Sequence, residues 1–160
     1  MLRYLICCGA LLAGMGPSND QSADDVALTL TRQYGRALYR DCRLDVTAFE
    51  RQGRTALRCT FNIEPPKSLH AERPLTPQEA AAMSALVRAG DLCSGGHIGR
   101  DTRASNGELE TLLTACSKGH VAMLVTSGNP TFQANDARRQ LLDRLHALED
   151  ELRKAARPPK

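Results

Sequence analysis

Polar and apolar positions change rhythm several times along this chain, and each rhythm predicts an element. Tyr4 to Leu12 is one continuous apolar run behind Arg3. From Ser22 to Arg40 the residues Val26, Leu30, Tyr34, Ala37 and Leu38 recur at steps of three and four. That spacing predicts an amphipathic helix, with Ser22 as its cap and Asp25 three residues on. The rhythm then drops to two. Leu44, Val46 and Ala48 alternate with Arg43, Asp45 and Thr47, and Leu57, Cys59, Phe61 and Ile63 alternate with Arg58, Thr60 and Asn62. A hairpin with one buried face is predicted, turning at Glu50 to Gly53. Pro65-Pro66 ends it, and residues 64–75 read as an ordered but irregular linker in which Pro74 keeps its neighbours extended.

The second half opens on Thr76-Pro77-Gln78-Glu79, with threonine at the cap, proline at the first helical position and glutamate at the third. This helix runs through Leu86-Val87 and stops at Gly90. A strand near Cys93 to Ile98, a polar loop from Arg100 to Glu108 and a strand from Leu109 to Cys116 are predicted next. Ser117-Lys118-Gly119 turns the chain into a last strand, His120 to Thr126. A final helix from Asn135 to Arg157 carries Leu141, Leu145, Leu148 and Leu152 along one stripe.

Side by side, the halves share a plan of helix, cysteine, strand, Gly-containing loop and strand with a second cysteine. The expected fold is α+β: two helix-plus-antiparallel-hairpin units, resembling an internal duplication, each with one disulfide, followed by an amphipathic C-terminal helix. The expected divisions are a leader over 1–18, a first unit over 19–66, a linker and second unit over 67–130, and the final helix and tail over 131–160.

The leader reading rests on Arg3, the apolar run, and small turn-prone residues from Ala13 to Ser18, the layout of a secretory signal peptide cleaved after Ser18. The run is too short to cross a bilayer, which takes roughly 20 helical residues. Cys8 raises the question of lipid attachment, but it follows Leu5-Ile6-Cys7 where a small residue is the rule. With the leader removed, Cys42, Cys59, Cys93 and Cys116 remain, and an even set of cysteines in a small exported domain reads as a disulfide framework. The midpoint of Cys93 and Cys116 falls in the Arg100–Glu108 loop, so these two are expected to face each other across neighbouring strands. Cys42 and Cys59 then pair by elimination. Their midpoint lies between Glu50 and Arg51, short of a turn centred toward Gly53, so a bulge or a fold-back of Cys42 is expected. The expected location is the periplasm or the secreted fraction, and no later stretch reaches membrane length.

Composition narrows the function classes. Aromatic residues make up 4% and tryptophan is absent, so the core rests on Leu, Val, Ala and Met and leans on its disulfides. Seventeen arginines against four lysines point to GC-rich coding and a bacterial source, while a net charge of +3 is too mild to imply nucleic acid. On the expected first helix Arg32, Arg36 and Arg40 stand four apart with Arg43 beside them, and Arg51, Arg54 and Arg58 adjoin on the hairpin. Only Asp41, Asp45 and Glu50 oppose them between residues 32 and 58, so a docking face for a protein or acidic envelope partner is expected. No aromatic platform accompanies the arginines, which argues against nucleic acid.

Catalytic signals are sparse. His97, Asp101 and His120 meet if the loop folds over, which would suit a hydrolase-like base. No Gly-x-Ser-x-Gly, Cys-x-x-Cys or His-Glu-x-x-His motif accompanies them, and the histidines lack further metal ligands at suitable spacing. Neither cofactor nor metal is expected. The reading favoured is a non-enzymatic exported binding protein, of inhibitor, immunity or envelope-accessory type. The alternatives are the His97/Asp101/His120 hydrolase and a structural envelope protein oligomerising through Leu141, Leu145, Leu148 and Leu152.

Overall fold

The computed structural model describes residues 25–34, 38–48, 53–99, 108–117, 119–126, 133 and 135–156. Among these, seven strands form one mixed sheet and two helices pack against it: β1 Val26–Gln33, β2 Tyr39–Ala48, β3 Arg54–Phe61, β4 Ser68–Pro74, α1 Pro77–Ala89, β5 Gly96–Ile98, β6 Leu109–Cys116, β7 Val121–Val125 and α2 Ala137–Ala155. The spatial order is β4-β3-β2-β1-β6-β7-β5. β1 to β4 run as an antiparallel meander. β6 then lies antiparallel against β1, which joins the two halves into a single sheet.

The inner face is apolar at alternate positions, as a half-covered strand requires. Val26, Leu28 and Leu30 of β1, Leu44 and Val46 of β2, Leu57 of β3, and Leu112 and Leu124 of β6 and β7 are each at most 1% exposed. Both helices cover this face, α1 over β2 and α2 over β3 and β4. Ala80, Met83 and Val87 of α1 and Leu141, Leu145, Leu148 and Leu152 of α2 close the same core. The α2 leucine stripe is therefore occupied within the chain.

Several expectations need correction. The described part of the expected first helix is strand: Val26–Gln33 belongs to β1, and Tyr39 and Arg40 to β2. Val-Ala-Leu-Thr-Leu-Thr alternates strictly, and its threonines suit a pleated surface better than a helix. Part of the expected irregular linker is β4, an edge strand that tolerates Pro74 at its end. β5 pairs in parallel with β7 instead of forming a hairpin with β6, which turns back on β7. The two-unit plan is accordingly absent from the described fold, although its α+β class stands. α1 follows the expected cap: Thr76 Oγ1 accepts from the Glu79 N–H, and the Glu79 carboxylate accepts from the Thr76 N–H.

Both expected disulfides form, Cys42–Cys59 and Cys93–Cys116. Cys42 stands directly opposite Cys59 in the β2–β3 register, with no intervening bulge; the register shift lies beyond them, between Tyr39 and Asp41. Cys93 sits in the turn after α1, not on a strand beside β6, and reaches Cys116 across a Cα separation of 5.7 Å. The leader, including Cys7 and Cys8, lies outside the described residues. Among those residues no helix is long and apolar enough to cross a membrane.

Candidate functional site

Replacing the first helix with strands redistributes the arginines. Residues at odd and even positions of a strand point to opposite faces. Arg32 falls on the inner face, half buried, while Arg43 and Arg58 fall on the face that carries neither helix. Arg40 is exposed on β2, where its carbonyl accepts the Tyr34 N–H at 2.9 Å. Arg36 and Arg51 lie outside the described residues.

On the open face Arg43 and Arg58 are cross-strand partners, and Arg58 in turn stands opposite His70 of β4. All three side chains are exposed. Like charges directly opposite in a sheet oppose folding slightly, so this row is not explained by sheet stability. Asp45 offsets one of them, accepting from Arg43 Nε at 2.9 Å, and thereby holds the Arg43 guanidinium above its usual range. Arg54 pairs separately with Glu72 at 2.5 Å. Farther across the same face the charges give way to apolar groups. Leu113 of β6 stands opposite Met123 of β7, Ala115 opposite Val121, and Ala27 of β1 opposite Ala115. Leu113, Val121 and Met123 are 42%, 50% and 37% exposed. Val125 on the same strand is buried.

Arg32 has a different setting. It lines a cleft of about 250 Å³ with Tyr34, Glu110, Thr126 and His146. Arg32 Nε lies 3.1 Å from Glu110, whose carboxylate also meets His146 Nε2 at 2.6 Å and accepts from Thr126 Oγ1 at 2.6 Å. Arg32 Nη1 reaches Glu149 at 3.3 Å, and Glu149 is 1% exposed. Arg153 and Tyr34 donate to the same buried carboxylate. Arg153 stacks 4.7 Å over the Tyr39 ring and lies 3.8 Å from the Cys42 sulfur. Burial pushes the Glu110 carboxyl upward, but the His146 and Thr126 hydrogen bonds and the Arg32 charge together hold it below the ordinary carboxylate range. For Arg32, burial disfavours the charge, yet Glu149, Tyr34 and Glu110 outweigh that and raise it. These groups are matched to one another, so the network ties α2 to β1 and β6. It is a buried charge chain with an open end more than a free binding pocket.

His97 and His120, the histidines of the hydrolase alternative, do not meet. His97 is opposite Met123 in the parallel β5–β7 ladder, and His120 precedes Met123 by three residues, roughly 10 Å along the strand. Both are exposed, and Asp101 lies outside the described residues. Among the described residues, the one cluster with metal-ligand proximity, Cys42, Cys59 and Glu149, has its sulfurs in a disulfide, which leaves no thiolate to bind a cation. Three contributors were missed in the sequence. His70 was hidden in the expected linker, where only Leu69 marks the strand rhythm. Glu110 and His146 are 36 residues apart and meet only in the tertiary fold. Compared with protein-family models and with curated proteins, the chain shows no significant match.

Proposed function

We propose that this chain is a small exported, disulfide-stabilised, non-enzymatic binding protein that docks an acidic partner protein on the helix-free face of its sheet. One observation carries the reading: Arg43, Arg58 and His70 form a cross-strand row on β2 to β4, and the same face exposes Leu113, Val121 and Met123 beyond β1. A protein partner wide enough to span the sheet fits this combination, because the apolar patch supplies burial while the arginines across β1 select an acidic rim. The Cys42–Cys59 bond crosses β2 and β3 beneath that face, and both helices lie on the other side of the sheet.

The test is retention of a component of the envelope fraction by the purified protein. One acidic protein should be held at low salt and released as salt rises, since rim charges act through screened interactions. The R43E/R58E variant should lose it while keeping the wild-type thermal midpoint. Retention unchanged by both salt and R43E/R58E, or no specific component retained at low salt, would sink the reading.

A further inference from the structure

The two edges of the sheet are built differently. β5 is three residues long, and Gly95, Gly96 and Gly99 in and around it adopt positive φ. β4 runs seven residues, and among the described residues nothing pairs with its outer edge. Long free edges are templates for another strand, and most proteins shorten, twist or cover them. Only Pro74, at the last position, interrupts this one.

The phase of the ladder identifies the groups on offer. Phe61 donates its N–H to the Lys67 carbonyl at 2.8 Å, and Leu75 donates to Gly53 at 2.8 Å. With Thr60 opposite Ser68 and Arg54 opposite Pro74, the hydrogen-bonded pairs with β3 fall on Leu69, Ala71 and Arg73. The N–H and C=O groups of Ser68, His70 and Glu72 therefore point away from β3, into the free edge. Their side chains are exposed on the helix-free face.

A second copy of the same strand satisfies these groups in one register. With a twofold axis at Ala71, His70 faces Glu72 of the partner subunit and Glu72 faces the partner's His70. Each of these pairs exchanges two backbone hydrogen bonds. On the inner side Leu69 meets the aliphatic stem of Arg73 from the partner subunit, and in each copy that arginine is held by Glu79 and Glu151. Sliding by one residue takes the edge groups out of phase. Sliding by two sets His70 against His70 or Glu72 against Glu72, which loses the imidazole–carboxylate pairing. Ladder phase and side-chain chemistry thus select the same arrangement. We infer that the chain forms a twofold dimer by antiparallel β4–β4 pairing centred on Ala71, joining two sheets edge to edge. This inference goes beyond the partner reading above; the two share His70 but not Arg43 and Arg58.

Sedimentation velocity across a concentration series tests it on the purified full chain. The wild type should move from chain mass to twice that mass as concentration rises. H70E sets like charges opposite Glu72 and should abolish the dimer. H70P removes an edge N–H without touching the β3 ladder and should do the same. H70E/E72H restores the imidazole–carboxylate pairing and should recover it, a rescue that a misfolded variant cannot show. R43E/R58E should leave the dimer intact, which separates this result from failure of the partner reading. A wild type monomeric at every concentration overturns the inference, including the case in which a foreign strand occupies the edge. So does a dimer indifferent to both H70E and H70P.

Discussion

Gly53 is a glycine because of room. A Cβ there would lie 2.8 Å from the Leu75 Cβ and 3.4 Å from the Ala80 Cβ, while the Gly53 carbonyl accepts the Leu75 N–H. The start of β3 is therefore pressed against the passage from β4 into α1. Gly53→Ala should lower stability by about 1–2 kcal/mol, because a packed backbone must shift to admit the methyl group. A urea midpoint lowered at unchanged slope is the expected signature. A midpoint equal to wild type would mean that the contact relaxes freely. The same residue explains why the sequence suggests a later turn than the β2–β3 register shows. Glycine marks a turn and a close backbone approach alike, and only the neighbour across space tells them apart. Arg32 carries a similar lesson: its charge was legible, but the carboxylates that hold it come from β6 and α2.

At the scale of elements, local chemistry was read well where it was closed within a few residues. The α1 capping box is an example, and it is also a pH-dependent device. Hydrogen bonding from Arg73, then from Thr76, pulls the Glu79 carboxyl down from 4.5 to about 2. A carboxyl more acidic in the folded state stabilises fully above its unfolded value, and that share is lost as pH falls toward the folded one. Acidification from pH 5 toward about 2 should therefore cost the wild type more stability than Glu79→Gln. Urea midpoints of both proteins against pH would check this, and parallel curves would refute it. The error at β1 has an equally local cause. Val26 and Leu30 are four apart, a spacing that fits one helical turn and two strand repeats. Leu28, buried to 1%, decides for the strand. β4 was weaker still, because an edge strand with a single strong apolar residue lacks the alternation that reveals a half-buried one.

Across the whole molecule the disulfides act on different distances. Cys42–Cys59 crosses a hairpin already paired by its backbone, whereas Cys93–Cys116 fastens the turn after α1 to the end of β6. Their sequence separations are 17 and 23, so chain entropy alone makes them nearly equal, at about 3 kcal/mol each. Replacing either pair by alanine should lower stability by roughly that amount in urea denaturation. Removal of Cys93–Cys116 should in addition speed hydrogen exchange in β5 and in β7, its ladder partner, since that bond fastens the segment leading into β5 to the end of β6. Equal exchange in both variants would contradict this difference.

By itself the sequence determined the hairpin of β2 and β3, α1 with its caps, the apolar stripe of α2 and the α+β class; it named the cysteine pairs, but the fold supplied their geometry. Each of these is written in spacing or capping chemistry within some 25 residues, the reach over which local pattern and register act. Tertiary structure decided the rest: β1 as the strand that joins the halves, β5 running parallel to β7, Arg43 and Arg58 on one face with Arg32 on the other, and the meeting of Glu110 with His146. Those outcomes depend on which strand edges find each other and which face the helices cover. Both are settled by burial summed over the whole core, a quantity that no single segment carries.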